Sequence, residues 1–113
     1  DEWLLLTDAE DTEELETALL AALQDQPAAL VDVSHRNILF ELSGPFAARI
    51  LNCACPLDLD LKIFPVGMCT RTVVEKAEII VWRIGPEKFR IAVWRSFAAY
   101  VQALLIEGRR GLE

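Results

Sequence analysis

The sequence predicts an α+β two-layer sandwich: a mostly antiparallel sheet with its helices on one face, in the order β-α-β-β-α-β-β-β-α. Three observations lead there. Residues 37–43, 70–76, 78–83 and 88–94 read as strands, and the turn Ile84-Gly85-Pro86-Glu87 separates the last two. Stretches within 12–24, after Pro45 and after Ser96 repeat apolar residues at three- and four-residue spacing, the mark of amphipathic helices. Runs of strands with no helix between them favour antiparallel pairing.

In chain order, 3–6 (Trp3-Leu4-Leu5-Leu6) reads as a short buried strand, followed by an acidic turn. Asp11 stands where a helix N-cap belongs and Glu14 follows three residues on, a loose capping box before the stripe Leu15, Ala18, Leu19, Ala22 and Leu23. Gln26-Pro27 ends that helix. Residues 29–33 read as a second strand, and the segment after it carries turn chemistry. In 37–43, Ile38, Phe40 and Leu42 share one face, and Leu39 and Glu41 the other. Pro45 suits a first helical position, and Ala47, Ile50, Leu51 and Ala54 form the stripe behind it. Residues 53–72 then join this helix to the last three strands without a clear period, long for a connection in a compact domain. In 88–94, Phe89, Ile91 and Val93 oppose Arg90, Ala92 and Trp94. Ser96 is placed to cap a final helix with the stripe Phe97, Val101, Leu104 and Gly108.

The 113 residues suit one domain with a real core. Residues 1–111 read as that α+β domain, shortened at its N-terminus and without a signal peptide, and Leu112-Glu113 as a vector-derived scar. The chain is 53% hydrophobic with a net charge of −7. Its mean hydropathy of +0.28 is high, yet no apolar run is long enough to span a membrane. Surplus apolar surface points to a partner. The acidic balance argues against nucleic acid and anionic membranes. Leu39, Trp94, and Ile80 or Trp82 or both, fall on the sheet face away from the helices, so that face is expected to dock. The odd count of three cysteines disfavours a disulfide framework and favours the reducing cytoplasm.

Candidate chemistry is thin. Cys53-x-Cys55 with Cys69, and His35 as a fourth ligand, would make a metal site, but zinc prefers pairs two to four residues apart in knuckle turns, and buried inert cysteine is the better reading. Asp32, Ser34 and His35 do not make a hydrolytic triad, because neighbours on a strand face opposite ways. Turn-forming side chains explain them better. Ser43-Gly44-Pro45 is an ordinary helix entry rather than an anion site, since proline removes a donor. Asp58 and Asp60 lack the companions that calcium or acid–base work needs. Arg71, Arg83 and Arg95, near the tryptophans, read as interface anchors.

Five segments carry a family resemblance: Asp32-Val33-Ser34-His35-Arg36; Leu42-Ser43-Gly44-Pro45 with Ala47; Cys55-Pro56-Leu57-Asp58-Leu59; Phe64-Pro65-Val66-Gly67-Met68-Cys69-Thr70-Arg71-Thr72; and Trp94-Arg95-Ser96-Phe97-Ala98. On these the chain resembles the gamma subunits of heterotetrameric sarcosine oxidase. More distantly, its order of parts is similar to the folate-binding aminomethyltransferase (T-protein) module. There a G-E-x-G-[FY]-E turn stands where this chain has Gly85-Pro86-Glu87-Lys88-Phe89-Arg90, without the first acid, second glycine and last acid of that motif.

The resemblance implies a non-catalytic assembly subunit of a complex that oxidatively demethylates sarcosine to glycine, releasing hydrogen peroxide and, with tetrahydrofolate, methylenetetrahydrofolate. It implies partners: an alpha subunit with NAD and the folate site, a beta subunit with the flavins FAD and FMN, and a delta subunit with zinc. No cofactor, metal or catalytic residue is then expected in this chain. Partner contact is expected at Leu57, Phe64, Met68, Arg71, Trp82, Arg83, Trp94, Arg95 and Phe97, and the isolated chain is expected to self-associate. The alternative readings are a small-molecule module with a folate-like pocket and an enzyme using Cys55 or Cys69 as nucleophile.

Overall fold

The computed structural model describes residues 2–112. Glu113, the last residue of the expected scar, lies outside them. The chain divides into two compact units, residues 1–32 and 33–113.

In the first unit a 3-10 turn, Ala9–Asp11, leads into helix α1, Thr12–Ala22. Glu13 and Glu14 occupy its first turn, where acids suit the helix dipole. Asp11 stands at the N-cap, but its side chain makes no cap bond. The preceding 3-10 turn already gives it helical angles (φ −100°, ψ −2°) rather than the extended ones that aim a capping oxygen back at the helix. No residue of α1 is buried, and Trp3 is 86% exposed. Residues 3–6 and 29–33 do not form the strands expected of them. Short apolar runs carry no period of their own, and a strand exists only where a ladder accepts it.

The second unit holds β1 (Asn37–Ser43), α2 (Ala47–Asn52), β2 (Cys69–Val74), β3 (Ala77–Gly85), β4 (Lys88–Trp94) and α3 (Ala98–Arg110). The four strands form one antiparallel sheet in the order β1-β4-β3-β2. The α+β class and the antiparallel sheet are as the sequence predicts. The register stacks Ile38, Phe40 and Leu42 of β1 beside Val93, Ile91 and Phe89 of β4, and those beside Ile79, Val81 and Arg83 of β3. That inner face packs with Ala47 and Leu51 of α2 and Val101 of α3 into the core. The helices meet at Gly108, where a Cβ would lie 3.2 Å from the carbonyl oxygen of Ile50 and 3.3 Å from Cβ of Cys53. A Cβ there would need its neighbours to give by a few tenths of an ångström, so glycine suits the close approach.

Helix entries differ from the expected ones. α2 begins at Ala47 behind the N-cap Phe46 rather than at Pro45, and Gly44 (φ +123°) turns the chain while its N–H donates to the carbonyl of Glu87 (2.9 Å). Ser96 lies inside a 3-10 turn, Arg95–Phe97, and Phe97 is the N-cap of α3.

The long connection is ordered by bonds rather than by a period. Asn52 donates Nδ2 to the carbonyls of Cys55 (3.2 Å) and Leu57 (2.6 Å). Asp58 and Asp60 accept the backbone N–H two residues on, at 3.0 and 2.9 Å, making two successive Asx turns. Cys55, Leu59 and Phe64 turn into the core. Gly67 donates to the carbonyl of Arg83 (2.7 Å), and Arg83 returns a bond to that of Met68 (3.0 Å), stitching the connection to β3.

Candidate functional site

Arg83 follows Ile79 and Val81 on β3, so strand parity carries it onto the inner face. It is 3% exposed. Its Nη1 donates to the carbonyls of Leu59 and Phe64, both at 2.7 Å, and its Nη2 to that of Pro86 at 2.9 Å. The guanidinium lies 4.7 Å from the ring centroid of Phe89. This cation pins the long connection to the sheet. Phe64, 2% exposed, fills the same interior. Both were expected to touch a partner; within this chain their side chains are buried and used internally. Leu57 is half-buried against the core.

The remaining expected contacts lie outward. Opposite the core, the sheet presents the row Leu39, Ala92, Ile80, Arg71 and the row Glu41, Arg90, Trp82, Cys69. Leu39 and Trp94 are 50% and 51% exposed, and Ile80 and Trp82 half-buried. Arg90 sits 5.7 Å from the Trp82 ring centroid, and its Nε is 3.8 Å from Glu41, which also lies 3.4 Å from Nζ of Lys88. These ion pairs are open to water and add little stability. Phe97 and Met68 are exposed at the ends of the sheet layer. The connection adds exposed Leu61, Ile63 and Val66. Sequence reasoning missed these three. The alternation Leu57, Leu59, Leu61 suggests one apolar side, but the Asx turns break the period, sending Leu59 inward and Leu61 out.

An open recess of about 410 Å³ adjoins this face, lined by His35, Arg36, Trp94, Arg95 and Ser96. Its floor is built locally. Arg36 N–H donates to the carbonyl of Val33 (2.9 Å), closing the turn before β1. Arg95 N–H donates to the carbonyl of Arg36 (2.7 Å), and its Nε to that of His35 (3.1 Å). The recess thus joins two of the resembling segments, Asp32 to Arg36 and Trp94 to Ala98. Sequence reasoning settled on His35 and Ser96 as turn and cap residues. Their meeting depends on the β1–β4 register, with Asn37 opposite Trp94.

The cysteines and His35 do not converge: among the described residues, no group of three or more His, Cys, Asp and Glu side chains is placed to hold a metal. Cys55 is buried, and desolvation pushes the Cys69 thiol up from its ordinary value. A raised thiol carries less thiolate at neutral pH, so Cys69 lacks the activation a nucleophile needs. The N–H of Gly44 is already spent on Glu87, which removes it from any anion at that helix entry. Among the described residues no helix is long and apolar enough to cross a membrane.

The sarcosine oxidase, gamma subunit family model matches residues 1–109. The chain belongs to that family. It is 34% identical over 107 residues to the sarcosine oxidase subunit gamma of Corynebacterium sp. (strain P-1), covering 95% of this chain and 52% of the relative. It is 32% identical to that of Arthrobacter sp., covering 79% of this chain and 44% of the relative. The fold superposes with a TM-score of 0.81 and 30% identity on a chain of the heterotetrameric sarcosine oxidase from Corynebacterium sp. U-96 in complex with pyrrole 2-carboxylate, covering 84% of this chain and 49% of that one. The chain therefore spans about half the length of the curated relatives it matches.

Proposed function

We propose that this family member is a non-catalytic assembly subunit of a heterotetrameric sarcosine oxidase, docking through the outer face of its sheet. The observation that carries the reading is that face: Leu39 and Trp94 stay half exposed on the same strands whose other side is closed by α2 and α3. A sheet with apolar side chains on both faces needs a second cover. Membership in the gamma family and the likeness to a chain of a heterotetrameric oxidase support a companion subunit as that cover. Exposed arginines among tryptophans suit an interface, where both are enriched.

On this reading the companions are alpha, beta and delta subunits. They carry NAD, tetrahydrofolate, FAD, FMN and zinc, and oxidise sarcosine to glycine. This chain supplies surface and rigidity rather than a reacting group. Its thiols fit the reducing cytoplasm.

The test is co-expression with tagged companion subunits. The reading expects this chain to co-elute in the complex and sarcosine-dependent hydrogen peroxide to fall when it is left out. A chain that never co-elutes sinks it. Titrating the chain with tetrahydrofolate, read by tryptophan fluorescence, separates it from a folate-type module: silence supports the subunit, and tight saturation supports the module.

A further inference from the structure

Charge is unevenly distributed along this acidic chain. All 11 lysine and arginine residues lie in 33–113, while residues 1–32 hold ten of the 18 acids. The sheet-bearing unit, with 11 basic against the remaining eight acidic residues, is net positive. The recess beside Trp94 concentrates that charge: Arg36 and Arg95 line it together with the His35 imidazole and the Ser96 hydroxyl, and none of its lining residues is a carboxylate. Arg95 is fixed at one edge, Nε donating to the carbonyl of His35 (3.1 Å). Among the described residues its Nη1–Nη2 edge carries no other bond, so a planar fork remains to take two oxygens at once.

We propose that this recess receives a carboxylate borne by an aspartate or glutamate of a companion subunit. The proposal rests on the subunit reading above. The chemistry selects a carboxylate: guanidinium fork, second guanidinium, imidazole and hydroxyl all offer donors, and the indole gives a flat apolar wall. The openness of the site selects the source. Arg36, Arg95 and Trp94 stand in water, where a guanidinium–carboxylate pair gains little, so a small free acid would be held weakly. A carboxylate that arrives on a protein surface excludes that water, and the same pair becomes strong. Trp94 belongs both to the recess and to the outer sheet face, so a chain covering the face also closes the recess.

The test uses the co-expressed complex, measuring retention of this chain as salt is raised. Arg95→Met is expected to weaken retention about tenfold to a hundredfold, with Arg95→Lys between it and wild type because lysine keeps the charge but not the fork. Arg95→Met also removes the bond to His35, so Arg36→Met is the second variant; among the described residues that side chain makes no bond within the chain, and melting of the free variant confirms its fold. Weakening by both variants supports the proposal. Retention of both at wild-type salt tolerance overturns it and leaves the subunit reading intact. Failure of the wild type to co-elute removes the subunit reading and this proposal with it. A tight response of tryptophan fluorescence to sodium acetate in the isolated chain, with both variants still retained, makes the recess a small-molecule site and overturns the companion source.

Discussion

The two faces of the sheet are made by the same four strands and differ in what covers them. On the inner face Phe89, Ile91, Val93, Val81 and Ile79 are buried beneath α2 and α3. On the outer face Leu39 and Trp94 sit half in water, with half-buried Ile80 and Trp82 on the next strand, β3. Both faces carry large apolar side chains, though the outer one mixes them with Glu41, Arg71 and Arg90. What separates them is that, within residues 33–113, α2 and α3 pack on the inner side. The inner face folds the protein, and the outer face is the one we propose for an interface. Substitutions on the inner face should therefore cost folding stability, and those on the outer face should spare it.

The largest effect is expected at Phe89. Phe89→Ala empties the middle of the core and should lower unfolding free energy by about 3–5 kcal/mol, measured by urea denaturation. Next comes Arg83. Arg83→Met strands the carbonyls of Leu59 and Phe64 and should cost about 2–4 kcal/mol. It should also loosen residues 53–68, seen as faster proteolysis there, and Arg83→Lys should not restore the lost fork. Gly108→Val should cost about 1–3 kcal/mol by forcing α3 away from the Ile50 carbonyl, read as a lower Tm. A smaller signature belongs to Cys69 on the outer face. With its pKa raised by desolvation, its alkylation at neutral pH should be slower than that of a free thiol and should catch up only as pH rises past the ordinary thiol range.

Parity carried most of the fold into view from the sequence. The pairs Ile38/Phe40 and Leu39/Glu41, or Phe89/Ile91 and Arg90/Trp94, separate the faces without any coordinates, and the outer row of Leu39, Ile80, Trp82 and Trp94 follows from it. The same rule places Arg83 with Ile79 and Val81. An arginine in a core is hard to accept from sequence, because its three acceptors sit on Leu59, Phe64 and Pro86, and two of these lie about twenty residues upstream in a segment with no period. Phe64 was hidden for the same reason. Residues 3–6 and 29–33 misled in the other direction: they have strand composition, but pairing is a property of the neighbour. The recess was illegible because it exists only where the turn before β1 meets the end of β4.

The central claim is that the outer face is held for another chain, and Trp94→Asp tests it most directly. Its Tm as an isolated chain and its retention by the companion subunits should be measured side by side. The account predicts a stability change within about 0.5 kcal/mol of wild type, and a loss of at least about 2 kcal/mol in binding, as expected for a buried interface tryptophan. A Trp94→Asp chain that assembles as tightly as wild type, or one that unfolds on its own, would contradict it.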